Sequence, residues 1–310
     1  MKMKSWLLGI GLLLTNLAFG QTIQDGLHLL DRHQPSRAKQ VFEGLVSAAP
    51  TGENYFYLGY YYLTQRNWDA AKETFEKGKA ADPKNYLNQV GLASILVGQN
   101  NVSAAKVEFD RILAETKNKN IDVMYRIAEA YAMYYILGKE ESFNANNNDP
   151  AEAIRLIDAI QDRLMKDKKM PTVEHYIVKG DAYLIKNDGG NAVTAYETGL
   201  MQDPKNVKAK VKIGTVYLRG KNYKETQARY KEAIDLDSNY APAHKRYGEY
   251  LIVGSQYKNA SRYFRKYLEK AEATPEVTLE TAKLLFLSQD YEGAMKYTDE
   301  ADKKGVKDND

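Results

Sequence analysis

Four histidines, His28, His33, His175 and His244, are the only imidazoles in the chain, and no H-E-x-x-H or other metal-ligand spacing links them. Cysteine is absent, which excludes thiolate metal sites, disulfides, thiol catalysis and a lipid-modified N-terminal cysteine. There is no G-x-S-x-G, no P-loop and no G-x-G-x-x-G, and the Gly-rich "NDGGN" at 187–191 reads as a turn. Carboxylates are plentiful, but none forms a constellation that marks an acid/base pair. The expectation is a protein that is not an enzyme, with no catalytic residue, no metal and no cofactor. The chemistry that remains is recognition, and it is densest at 54–63, "NYFYLGYYYL", where five tyrosines and a phenylalanine fall in ten residues.

What must position these rings is a soluble, folded chain of 310 residues, 44% hydrophobic and 27% charged. Its 44 Lys and Arg against 41 Asp and Glu give no electrostatic case for nucleic acid or an anionic membrane. Residues 1–20 carry Lys2 and Lys4, an apolar run from Trp6 to Leu14, and small residues Ala18 and Gly20 flanking Phe19. That is the tripartite pattern of a secretory signal peptide, with cleavage expected after Gly20. The apolar stretch is short for a membrane span, so no transmembrane segment is expected in the mature chain. The expected location is exported, periplasmic or associated with the cell envelope.

The rest of the chain repeats itself. Gly26, Ala38 and Phe42 recur as Gly59, Ala71 and Phe75, then as Ala93, Ala105 and Phe109. Further on come Gly180, Ala192 and Tyr196, then Gly214 and Tyr230, then Gly248, Ala260 and Phe264, and finally Ala282 and Ala294. A period near 34 residues built of two helical segments is the mark of a stacked array. Asn67, Asn101, Asp188, Asn222 and Asp290 precede the second segment as helix caps, and Asp82-Pro83 and Asp203-Pro204 follow its end. No strand pattern occurs.

The second unit, with Tyr55, Leu58, Gly59, Tyr62, Trp68, Ala71, Phe75 and Pro83, resembles the tetratricopeptide repeat (TPR) family. The resemblance covers nearly everything after residue 20. It implies an all-α, right-handed solenoid of about eight helix-turn-helix units, near 21–51, 52–85, 86–119, 120–172, 173–206, 207–240, 241–274 and 275–308. Departures are local: Thr226 at a small apolar site, Ser238 in place of proline, and Lys179 at an apolar site. The unit 120–172 holds an Asn-rich insertion at 138–150, read as a lengthened surface loop. The polar end "KKGVKDND" supplies no capping helix, which suggests a fragment of a longer protein or a covered end.

The resemblance further implies a concave groove lined by first helices, binding a peptide or helix of a protein partner. Its groove positions fall here on Phe56, Tyr60 and Leu63; Val90, Ser94 and Val97; Tyr125, Arg126 and Glu129; Ile177, Asp181 and Leu184; and Lys245, Arg246 and Glu249, with Val211, Thr215 and Leu218 between. The lysine and asparagine clamp by which some members hold a C-terminal carboxylate is not present. An apolar, aromatic lining with sparse charge suits a partner segment anchored by its own apolar side chains. The expected role is an interaction scaffold without nucleic acid or an evident small-molecule substrate. The alternative is an N-terminal docking module of a larger envelope enzyme or secretion machine. Within 54–63, Tyr57 and Tyr61 are expected to pack along the unit's edges.

Overall fold

A computed structural model describes residues 21–132 and 149–305. The expected signal segment, most of the 138–150 insertion and the last five residues lie outside the described residues. Among those described there are sixteen α-helices and no strand. They pair in chain order as α1 (Ile23–Asp31) with α2 (Pro35–Ala48), α3 (Gly52–Thr64) with α4 (Trp68–Ala81), α5 (Leu87–Gly98) with α6 (Val102–Glu115), and α7 (Ile121–Ala132) with α8 (Pro150–Lys166). The second half pairs α9 (Val173–Ile185) with α10 (Gly189–Gln202), α11 (Val207–Arg219) with α12 (Tyr223–Leu236), α13 (Ala241–Val253) with α14 (Tyr257–Lys270), and α15 (Pro275–Leu287) with α16 (Tyr291–Lys303). The fold is an all-helical repeat solenoid.

Local chemistry sets the boundaries. The side chains of Asn67, Asn101, Asp188, Asn222 and Asp290 each accept a bond from the backbone N–H three residues on, closing the first turn of α4, α6, α10, α12 and α16. The turn before each of these helices holds one residue in the left-handed region: Arg66, Asn100, Asn187, Lys221 and Gln289, with φ between 57° and 67°. His33 and Ser255 occupy the same place in the turns before α2 and α14. That conformation lets the next N–H reach back to the preceding helix, as Asn67 N–H does to Tyr62 O at 3.0 Å.

Packing inside a hairpin rests on one aromatic ring from its second helix. The Phe75 ring is fully buried and lies so close to Gly59 and Gly91 that a Cβ on either would stand 2.4 Å from its Cε1. Phe42 meets Gly26, Tyr196 meets Gly180, Tyr230 meets Gly214 and Phe264 meets Gly248 in the same way. The sequence places Gly59 opposite Ala71; in the structure the closer partner of the glycine is the ring one turn on. Thr226, a departure from the repeat pattern, is buried and turns its hydroxyl back to Asn222 O at 2.8 Å. Lys179, another, reaches Asp158 at 2.5 Å.

Gly59→Ala is therefore expected to overpack a ring that has no room to move, costing about 1–3 kcal/mol. A lower midpoint in urea unfolding checks it, with Gly44→Ala, where a Cβ would meet only Gln21 at 3.8 Å, as the near-neutral control.

Candidate functional site

The array closes on itself. The first hairpin meets α11, α12, α14 and the α14–α15 link: Asp31 pairs with Lys208 at 2.6 Å, Arg32 pairs with Asp237 at 2.7 Å, and Glu272 N–H donates to His33 O at 2.9 Å. Inside lies a cavity of about 1320 Å³. First helices contribute Asp31 from α1, Tyr57 and Tyr60 from α3, Leu87 from α5, Tyr125, Arg126 and Glu129 from α7 and His175 and Ile177 from α9. Lys208 from α11, Lys245 and Arg246 from α13 and Glu280 from α15 complete the wall. A smaller cavity of about 460 Å³ sits between α4, α5 and α6, beside Trp68, Leu92 and Arg111; it draws on two hairpins, whereas the larger draws on all eight.

One wall of the large cavity carries a cation enclosed by rings. The Arg126 guanidinium stands 5.1 Å from the Tyr60 and Tyr125 centroids, 5.2 Å from Tyr57 and 5.4 Å from Phe56. It donates to Glu129 Oε2 at 2.6 Å and to Tyr57 Oη at 3.2 Å. Tyr60 and Tyr125 both turn their hydroxyls to Glu129 Oε1, at 3.3 and 3.5 Å. Burial, then the Glu129 charge, holds both phenols well above their ordinary range. Burial works against the Arg126 cation, but Glu129 and the tyrosines outweigh it and keep the guanidinium charged. The chemistry this supports is a pre-set hydrogen-bonding and apolar surface.

A second internal network surrounds Asp181, whose side chain is 2% exposed. It accepts from Tyr196 Oη at 2.5 Å and from Lys212 Nζ at 2.7 Å. Burial pulls the Lys212 ammonium below its ordinary value and Asp181 partly restores it. His33 is held down at about 4 by burial, with Lys245 and Arg246 opposing its protonation and Glu280 and Asp31 favouring it. Its Nδ1 lies 3.1 Å from Tyr267 Oη.

Most of the groove positions assigned from the sequence divide into two sets. Tyr60, Tyr125, Arg126, Glu129, Ile177, Lys245 and Arg246 line the cavity. Phe56, Leu63, Val90, Ser94, Val97, Asp181 and Leu184 are buried and are not part of its wall. Arg246 and Glu249 pair at 2.9 Å. Tyr57, assigned to edge packing, opens onto the cavity and bonds Arg126. Asp31, Lys208 and Lys212 lie outside the assigned groove positions. Lys208 and Lys212 stand four residues apart in "VKAKVKIG", one face of α11, and that spacing is a signal the sequence carries. Among the described residues no group of three or more His, Asp or Glu side chains is placed to hold a metal ion.

A tetratricopeptide-repeat family model matches residues 24–86. Tetratricopeptide repeat protein 1 of Schizosaccharomyces pombe is 30% identical over 81 residues, 26% of this chain and 8% of that protein. A solved tetratricopeptide repeat protein from Parabacteroides merdae superposes with a TM-score of 0.54 at 12% identity, covering 86% of this chain and 97% of that one. The matched segment is thus similar to tetratricopeptide repeats, and the solved structure shares the fold. The Cut9–Hcn1 hetero-tetramer of the APC/C has a TM-score of 0.54 at 10% identity, covering 90% of this chain and 52% of that one. The human IFIT1 dimer with PPP-AAAA also gives 0.54, at 15% identity, with 92% and 72% covered. The chain thus spans under a tenth of the S. pombe relative and about half of the Cut9–Hcn1 chain. Proteins built on TPR units generally mediate protein–protein interaction and are typically non-enzymatic scaffolds.

Two measurements check the networks. Asp181→Ala strips the carboxylate from a buried lysine and a buried phenol and is expected to cost about 3–5 kcal/mol in urea unfolding. For His33 the folded value of about 4 lies below the ordinary value, so the unfolded chain binds the proton first. Its contribution is complete above pH ~6.5 and is lost as pH falls toward 4, by up to about 1.4 kcal/mol per pH unit. His33→Gln should flatten the pH dependence of the urea midpoint in that window.

Proposed function

We propose that this chain is a non-enzymatic scaffold that receives an extended or helical segment of a protein partner in its concave interior. The observation that supports it is the large cavity, to which every hairpin contributes a first helix and which joins aromatic rings to charges already paired with one another. A lining of that kind offers apolar contact and hydrogen bonds without demanding a ligand of one charge. Export to the cell envelope is proposed from the pattern of residues 1–20, and N-terminal sequencing of the protein recovered outside the cytoplasm should begin at Gln21. Among the described residues no helix is long and apolar enough to cross a membrane.

The alternative, a docking module of a larger envelope protein, draws on a different face. Phe286, Leu287, Tyr291 and Met295 on the last hairpin are 56–70% exposed and adjoin one another in sequence and across the Phe286–Tyr291 ring pair.

The test is capture from envelope extract. Tyr60→Ala with Tyr125→Ala is expected to abolish retention of the partner, while Tyr60→Phe with Tyr125→Phe, which keeps the rings, retains at least part of it. Thermal unfolding separates loss of binding from loss of fold. Equal capture by a folded double-alanine variant and wild type would reject the interior as the binding surface.

A further inference from the structure

Consecutive hairpins are joined by buried apolar side chains, but the contact that closes the array is not. None of the apolar clusters among the described residues draws members from both α1–α2 and α11–α15. Polar groups cross instead. Besides Asp31–Lys208 and Arg32–Asp237, Ser36 N–H donates to the Glu272 carboxylate at 2.6 Å and Gln34 Nε2 donates to Lys270 O at 3.0 Å.

We propose that the α1–α2 hairpin is a reversible, charge-held latch that switches the array between a closed ring and an open solenoid and so sets the width of its interior. Two of the charges concerned are ones their own helices would not choose. Asp31 ends α1, where a helix dipole favours cations. Lys208 is the second residue of α11, where it favours anions. Both are satisfied across the seam, which marks them as a feature kept for the closure, whereas Asp237 also accepts Asn239 N–H at 2.9 Å in its own turn, as Asp82 and Asp203 do in theirs. The ion pairs are 20–44% exposed, so salt weakens them far more than it weakens the buried rings inside each hairpin. His33 supplies the remaining piece. Its left-handed conformation, φ 58°, belongs to the common hairpin turn, but here its carbonyl accepts Glu272 N–H and its ring meets Tyr267 edge-on at 5.8 Å.

The experiment combines small-angle X-ray scattering with amide hydrogen exchange on the full chain, in dilute buffer and in ~1 M NaCl, where the screening length falls to ~3 Å. It reads shape rather than capture, so its failure leaves the partner-binding reading standing, and the reverse also holds. Wild type should be compact in dilute buffer, with the Ser36 and Glu272 amides protected. High salt, or Asp237→Arg alone, should raise the radius of gyration and speed exchange at those two amides by about tenfold, with helical circular dichroism unchanged. Arg32→Asp together with Asp237→Arg should restore the closed form in dilute buffer. The latch is overturned by dimensions and protection that are the same in all conditions, or by a swap variant as open as the single reversal.

Discussion

Most of this array depends on a buried aromatic ring pressed against a residue without a side chain. In five hairpins the second helix sends a ring, Phe42, Phe75, Tyr196, Tyr230 or Phe264, into the place a Cβ would take on the first helix. Each of these rings is wholly shielded from solvent. Glycine allows the two backbones to approach, and the ring fixes how far. Because Phe75 touches both Gly59 and Gly91, the same contact that joins two helices of one unit also sets where the next unit stacks. Steps of this kind, accumulated from hairpin to hairpin, determine the curvature of the whole array.

That curvature brings first helices to the inside. A gently curved array would leave their inner faces open; this one turns far enough for the first hairpin to meet α11–α14, and the inner positions then share a confined space. Charges placed there cannot stay solitary, because each is partly removed from water. Hence Arg126 is found with Glu129 and four rings, Lys212 with Asp181, and Lys245 with Glu280. The interior is polar, yet its polar groups are largely committed to one another.

The repeat and the helix boundaries were legible because they depend on residues within one period of each other. Caps such as Asn67 and Asp290 are local rules. The closure was not legible. It brings Arg32 beside Asp237, 205 residues away, and follows from small rotations accumulated over many units rather than from any motif. The same cause explains Tyr57. Its neighbours suggest an edge position, and only the approach of α7 turns it into a partner for Arg126 at 3.2 Å.

One first-helix position follows a rule that sequence alone contains. The inward position that meets the clamping ring lies fifteen residues before it. Where the ring is phenylalanine, as at Phe75 and Phe109, that position is Tyr60 or Ser94, and neither bonds the ring. Where it is tyrosine, the buried hydroxyl needs a partner, and the position becomes Asp181 for Tyr196 or Thr215 for Tyr230, at 2.5 and 3.0 Å. Asp181 and Thr215, which family geometry marks as groove positions, thus have an internal reason to be polar. The side chains on α3 and α7 around Arg126 differ, because their bonds do not all close within their own hairpin.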